Sequence, residues 1–209
     1  FRDNQVEKSV VNIDDSVGRE IANEFSKNLL SIGIKEKADV MAENCSLSDA
    51  GSRFTLKTPS GSCEIKTHLL GMHNIYNLIS AAAGALHQGL SMEQIAKGLC
   101  SVNHIPGRFE KVPCGKSFSI IVDYAHTDDA LRNVLQAAQS FTPGRVITVF
   151  GCGGDRDRGK RKTMGRVAIE ESEFTIVTSD NPRTEDPQRI VDDILEGIPS
   201  STCQGKDYE

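Results

Sequence analysis

Residues 145–184 read RVITVFGCGGDRDRGKRKTMGRVAIEESEFTIVTSDNPRT, and the order of the parts in that stretch decides the fold. A β-branched run ending at Phe150 passes into glycines and charges. A helix-length segment over 160–171 follows, and a second β-branched run, 174–178, ends in Ser179-Asp180-Asn181-Pro182-Arg183. Strand, loop, helix and strand in that order are the signature of a parallel sheet with crossover helices. The same alternation extends outward, with a strand expected over 117–123 and helices over 128–141 and 187–197. The fold class is therefore α/β, and a domain boundary is expected near Gly107, where His104-Ile105-Pro106-Gly107 breaks the chain.

Upstream of that break the reading is more mixed. Residues 9–14 (SVVNID) form a short buried-type strand with a helix expected over 17–29. Strands are expected over 40–44, 53–58 and 63–69, the last two paired as a hairpin across Pro59-Ser60-Gly61-Ser62. Ile75, Leu78, Ile79, Ala82, Ala83 and Leu86 recur at helical spacing before Gly89. Ser91 followed three residues later by Gln94 is a capping-box pattern that launches a helix to about Val102.

The 209 residues carry a formal charge of -5, which argues against a general nucleic-acid binder, since that role needs a basic face to displace counterions. Six cysteines occur without a CxxC pair. That pattern suggests neither a zinc ribbon nor a redox dithiol, but reduced thiols in a reducing compartment. No run approaches the roughly 20 apolar residues of a membrane span, and Phe1-Arg2-Asp3-Asn4 is no signal peptide. A soluble protein is expected.

In open α/β sheets, ligands bind beyond the carboxyl ends of the strands, where loops and helix N-termini converge. Three successive loops there are unusually rich in chemistry. They read Asp123-Tyr124-Ala125-His126-Thr127, then Gly151-Cys152-Gly153-Gly154-Asp155-Arg156-Asp157-Arg158, then Ser179-Asp180-Asn181-Pro182-Arg183-Thr184. Glycines let backbone approach a ligand closely, and arginines offer forked donors to carboxylate or phosphate. In the third loop Pro182 biases Asn181 toward extended backbone. Asp180 can take an ammonium and Arg183 a carboxylate, so the loop complements an amino-acid head group. Read alone, the same loop also fits an Asx-Pro turn capping the next helix.

Taken together, Val11-Asn12-Ile13-Asp14-Asp15, Gly71-Met72-His73-Asn74-Ile75-Tyr76-Asn77, Ile105-Pro106-Gly107-Arg108-Phe109-Glu110 and the three loops resemble the Mur ligases nearly end to end. These are ATP-dependent ligases that build the peptidoglycan stem peptide, and the likeness is to the branch adding meso-diaminopimelate to UDP-N-acetylmuramoyl-L-alanyl-D-glutamate. The resemblance implies that residues 1–107 are the C-terminal part of the central ATP-binding domain. Residues 108–209 would be most of a dinucleotide-fold-like C-terminal domain that delivers the amino acid. It implies ATP and Mg2+, with the metal's ligands mostly outside this chain, a cytoplasmic setting and a monomer.

Carried over by residue, Asn74 and Asn77 match asparagines beside the adenine, Arg108 and Asp123 match a pair at the ribose and phosphate side, and His126 is a further nucleotide-site candidate. Arg156, Asp180, Asn181 and Arg183 match residues that grip diaminopimelate. No metal ligand or catalytic group is assigned within the chain. The family's Gly-Thr-Asn-Gly-Lys-Thr phosphate loop, its carboxylated lysine and its Gly-Lys-Gly-His-Glu motif do not occur in the 209 residues, so a fragment inactive by itself is expected. Asp128 stands where proline is usual, and Lys162-Thr163 replaces a proline-containing pair. The alternative is a plastid protein similar to this ligase that serves as an accessory subunit of the plastid RNA polymerase, in the chloroplast stroma, with a structural role.

Overall fold

Local chemistry accounts for most of the elements in the computed structural model, which describes residues 7–25, 27–48 and 50–209. The chain forms two compact units, Phe1–Val122 and Asp123–Glu209. In the first, β1 (Ser9–Asn12), β2 (Leu29–Gly33) and β3 (Val40–Ser48) run parallel. Strands β4 (Gly51–Thr58) and β5 (Gly61–Thr67) continue the sheet antiparallel, in the order β1-β2-β3-β4-β5. Thr58 pairs with Gly61, so Pro59 and Ser60 make the turn of the expected hairpin. Helix α1 (Ser16–Glu24) connects β1 to β2 and is capped by Asp15, whose side chain accepts the Val17 and Gly18 amides.

Helix α2 (Met72–His87) buries Ile75, Leu78, Ile79, Ala82 and Ala83 against the sheet residues Phe54, Leu56 and Ile65. That is the face the helical spacing predicted. Helix α3 (Met92–Ser101) begins with the expected capping box, the Ser91 hydroxyl accepting the Gln94 amide while the Gln94 side chain accepts the Ser91 amide. Two details differ from the sequence reading. The helix after β1 stops at Glu24, and Leu29, expected as the last residue of that helix, opens the interior strand Leu29–Gly33, for which no element was expected beyond Leu29. Also, the strand expected over 117–123 is shorter, β7 (Ile120–Val122), and pairs antiparallel with β6 (Glu110–Val112). It is not part of the parallel sheet.

That hairpin belongs to the first compact unit, which runs to Val122. Part of the segment around the Pro106-Gly107 break packs on α2. Phe109, only 2% exposed, stacks at a tilt on His73 with ring centroids 5.5 Å apart. Asn74 Nδ2 donates to the Arg108 carbonyl at 3.4 Å.

In the second unit, β8 (Ile147–Phe150) and β9 (Phe174–Val177) are parallel, as residues 145–178 predicted. Residues 207–209 lie along β9, with Thr175 and Val177 donating to the carbonyls of Asp207 and Glu209. Helices α4 (Asp128–Phe141), α5 (Gly159–Glu170) and α6 (Pro187–Leu195) supply a separate core of Leu131, Leu135, Met164, Val167, Ile190 and Ile194. Asp128 opens α4, with Thr127 as its cap and Asp129 beside it. An acidic first turn complements the helix dipole, so aspartate is a sound substitute for the family's proline there. Among the described residues no helix is long and apolar enough to cross a membrane.

Candidate functional site

The carboxyl ends of β8 and β9 deliver the glycine loop (151–158) and the third loop (179–185) side by side. Their approach is closer than side chains allow. A Cβ on Gly151 would lie 2.3 Å from the Thr178 carbonyl oxygen, and one on Gly154 would lie 1.9 Å from that of Pro182. Glycine is therefore required at both positions by contact alone. The loops are also bonded together. The Gly154 amide donates to the Asn181 carbonyl at 2.9 Å, and the Asp155 carboxylate accepts the Thr184 hydroxyl at 2.7 Å and its amide at 3.2 Å.

Within the third loop the side chains divide their tasks. Asn181 Oδ1 accepts the Arg183 amide at 3.2 Å, closing an Asx turn. The Arg183 guanidinium donates through Nη1 to the Gly154 carbonyl, which aims the rest of its fork. Helix α6 takes its cap from Asp186, whose side chain accepts the Gln188 amide, with Pro187 in the first turn. The Asx turn of the alternative reading is therefore present, but it does not cap α6, whose cap is Asp186.

A cleft of about 340 Å³ opens between these loops and residues 123–126. It is lined by Asp123, His126, Arg156, Lys160, Asp180 and Arg183 among others, so five of the nine residues singled out in the sequence share one cleft within the second unit. Asp123 Oδ1 accepts the Ala125 amide at 2.7 Å, and the Tyr124 and His126 rings meet edge to face at 5.2 Å. His126 Nδ1 lies 3.1 Å from the Tyr124 carbonyl oxygen, and Lys160 Nζ donates to the His126 carbonyl at 2.6 Å. Arg156 is exposed and reaches the Asp155 carbonyl with Nη1 at 3.1 Å.

Asn74, Asn77 and Arg108 belong to the first unit. Asn74 is fully buried; its amide nitrogen donates to the Leu70 carbonyl at 2.8 Å and its Oδ1 accepts from Asn77 Nδ2 at 3.2 Å. It is thus committed to protein partners and acts by holding Asn77, which is exposed, and the Arg108 segment in place. Neighbouring Tyr76 donates its hydroxyl to Asp14, whose carboxylate also accepts the amides of Ile34, Lys35 and Glu36. Burial alone raises the Asp14 carboxyl, but the Tyr76 hydroxyl and the three amides outweigh it and hold the group below the usual carboxylate range.

The sequence reading missed Arg161. Its side chain is fully buried and donates to Glu185 at 3.0 and 2.7 Å and to Asp193 at 2.8 Å. These bonds keep the guanidinium charged and hold Glu185 down at about 2, the Arg161 hydrogen bond being the main cause and the Asp155 amide the next. The signal available was acidic residues spaced eight apart, Glu185 and Asp193. Nothing in the sequence says that Arg161 points inward.

Two family descriptions match the chain: "Mur ligase middle domain" over residues 1–85 and "Mur ligase, glutamate ligase domain" over residues 107–208. The UDP-N-acetylmuramoyl-L-alanyl-D-glutamate--2,6-diaminopimelate ligase of Geobacillus thermodenitrificans is 44% identical over 190 residues, covering 91% of this chain and 39% of the relative. The corresponding ligase of Alkaliphilus metalliredigens is 46% identical over 193 residues, covering 91% and 39%. A solved structure of a ligase of that name is 34% identical with a TM-score of 0.56, over 96% of this chain and 42% of that one. MurF from Acinetobacter baumannii aligns at a TM-score of 0.74 with 25% identity, over 94% and 42%. The chain thus spans about two fifths of the length of the curated relatives it matches. These relatives are bacterial ligases, and the plastid alternative draws no support from them. With both family descriptions matched in sequence order and the expected loops folded into one cleft, the chain belongs to the Mur ligase family and carries its middle-domain and C-terminal-domain regions.

Proposed function

We propose that the chain is part of an ATP-dependent ligase that joins meso-diaminopimelate to the glutamyl carboxylate of UDP-N-acetylmuramoyl-L-alanyl-D-glutamate in peptidoglycan synthesis in the cytoplasm. In that reaction ATP phosphorylates the carboxylate, an amine of diaminopimelate attacks the acyl carbon, and phosphate departs. The observation that carries the reading is the placement of Asp180, Arg183 and Arg156 around one cleft, built from loops that hold each other in register. Asp180 receives the ligand's ammonium. Arg183, aimed by the Gly154 carbonyl, and Arg156 receive carboxylates. Asn181 spends its oxygen on the Arg183 amide and leaves its amide nitrogen to donate.

Residues 1–107 are assigned to the ATP-binding domain and 108–209 to the amino-acid domain. Nucleotide contacts are assigned to Asn77, presented by Asn74, and to Arg108 in the first unit, and separately to Asp123 and His126 in the second. Among the described residues no group of three or more metal-ligating side chains comes together. No step assigned to the chain's own residues runs through Mg2+. Their contribution is positioning and charge neutralisation, the main protein contributions to such a transfer.

Lysine and diaminopimelate differ by one distal carboxylate, so a positioned arginine favours the ligand that has it. A lost bidentate partner is worth on the order of a hundredfold in discrimination. The test completes the chain with the segments of the Geobacillus thermodenitrificans relative that lie outside the matched region, on both sides of it, and measures incorporation of each amino acid. Diaminopimelate is expected to be preferred by about a hundredfold, and Arg183→Ala to erase most of that preference. Equal or better use of lysine by the unsubstituted protein would refute the assignment.

A further inference from the structure

Arg161 heads the fully buried side chains by volume and belongs to none of the ligand sets above. Burying a guanidinium is costly unless its charge is paired and hydrogen-bonded. Here Nε has no hydrogen-bond partner among the described residues, and both terminal nitrogens are met by groups from three different places. Nη1 reaches Glu185 on the third loop and Asp193 on α6, while Nη2 reaches Glu185 again and the Gly153 carbonyl of the glycine loop at 3.4 Å. Glu185 Oε1 in turn accepts the Asp155 amide at 2.7 Å, and Asp155 holds Thr184. The bonds therefore close a ring from α5 through both ligand-facing loops and back.

The two loops need such a clamp. Asp155 and Arg183, one on each, are non-glycine residues with positive φ, 52° and 50°. Such conformations persist where the surroundings over-determine them. Glu185 sits two residues beyond Arg183, and Arg156 directly follows Asp155, so the ring fixes the backbone on which the ligand-binding side chains stand. We propose that Arg161 is a positioning residue for the amino-acid site, setting the spacing between the glycine loop and the third loop and thereby the places from which Arg156, Asp180 and Arg183 meet the ligand. This rests on the reading of that cleft as the amino-acid site.

Lysine at the position would keep the charge and lose the fork, so Arg161→Lys separates geometry from electrostatics. Two measurements decide the matter. In the 209-residue chain, hydrogen exchange is followed at the amides of Gly154, Asp155 and Thr184, which are all hydrogen-bonded across the loops. Exchange at these three is expected to quicken by about tenfold or more in Arg161→Lys while the Val167 region of α5 keeps its protection. In the completed ligase, the KM for the amino acid is expected to rise by about tenfold or more, with the KM for ATP and kcat within about twofold.

If Arg161→Lys does not fold, Glu185→Gln, which keeps the side chain's shape, carries the same two readouts and the same expectations. A lowered melting temperature with unchanged loop exchange and unchanged amino-acid KM would mean a purely structural role and would overturn the proposal. If the unsubstituted ligase prefers lysine, the substrate assignment fails alone; the clamp is then judged by the KM for lysine and by the exchange data.

Discussion

Single residues carry much of this site's precision, and two neighbouring glycines do so unequally. A Cβ at Gly154 would meet the Pro182 carbonyl at 1.9 Å, which is backbone and cannot yield without separating the loops. A Cβ at Gly153 would meet Arg183 Nη1 at 3.0 Å, the far end of a flexible side chain. Gly154→Ala is therefore expected to destabilise the second unit by about 1–3 kcal/mol, the usual range for overpacking, and to raise the amino-acid KM. Gly153→Ala should leave the melting temperature nearly unchanged while still shifting the KM through displaced Arg183. Calorimetry and steady-state kinetics on the pair check this, and equal loss of stability in both would contradict it. Glu185 offers a second handle. Its folded pKa of about 2 lies below the ordinary 4.5, so its contribution is fully present above the ordinary value and fades as pH falls from there toward 2. Between about pH 6 and about pH 3 the wild type should lose more stability in chemical denaturation than Glu185→Gln does. The variant keeps Asp14 and Asp193, both also lowered, so the difference isolates Glu185. Parallel curves would show that the Arg161 pairing does not hold its charge.

At the scale of elements, what the sequence revealed was whatever local chemistry decides. The Ser91-Gln94 capping box, the apolar face of α2 and the β8-α5-β9 alternation all appear where periodicity and caps placed them. The fold class, α/β with parallel strands, followed from these. What stayed hidden was decided by distant partners. Leu29–Gly33 has no alternation of its own and becomes a strand because β1 and β3 flank it on both sides, with Ile32 paired to Asn12 and to Val40. Ile120–Val122 has the composition of a parallel strand, yet its partner is β6, only a loop away. The same division runs through the candidate site. The loops' positions at the strand ends were readable, because a strand's carboxyl end is a local property. Their interlocking was not, since it depends on which carbonyl faces Gly154 and on the inward course of Arg161. Asn74 illustrates the point: its place in the helix was legible, whereas its burial under the Arg108 segment arises from Phe109 packing on His73.

For the whole molecule, the consequence of the two-unit architecture is two cores that share no buried residue. One is gathered around Phe54, Leu56, Ile65, Ile75 and Ile79, the other around Met164, Val167, Ile190 and Ile194. Each unit is large enough to hold a core of its own, and units with separate cores unfold as separate cooperative transitions unless something couples them strongly. The 209-residue chain is accordingly expected to melt in two calorimetric transitions. Ile79 and Ile194 are both fully buried, and truncating a buried isoleucine to alanine costs about 2–5 kcal/mol. Near the melting point each kcal/mol moves a domain of this size by roughly 4–8 °C. Ile79→Ala should therefore lower one transition by ten degrees or so and leave the other in place, and Ile194→Ala should do the reverse. Diaminopimelate at saturating concentration should raise only the transition that Ile194→Ala lowers, because a ligand stabilises the unit whose folded form binds it. A single transition displaced by both substitutions would mean that the units fold as one body, and the amino-acid cleft would then have to be understood as a property of the entire chain.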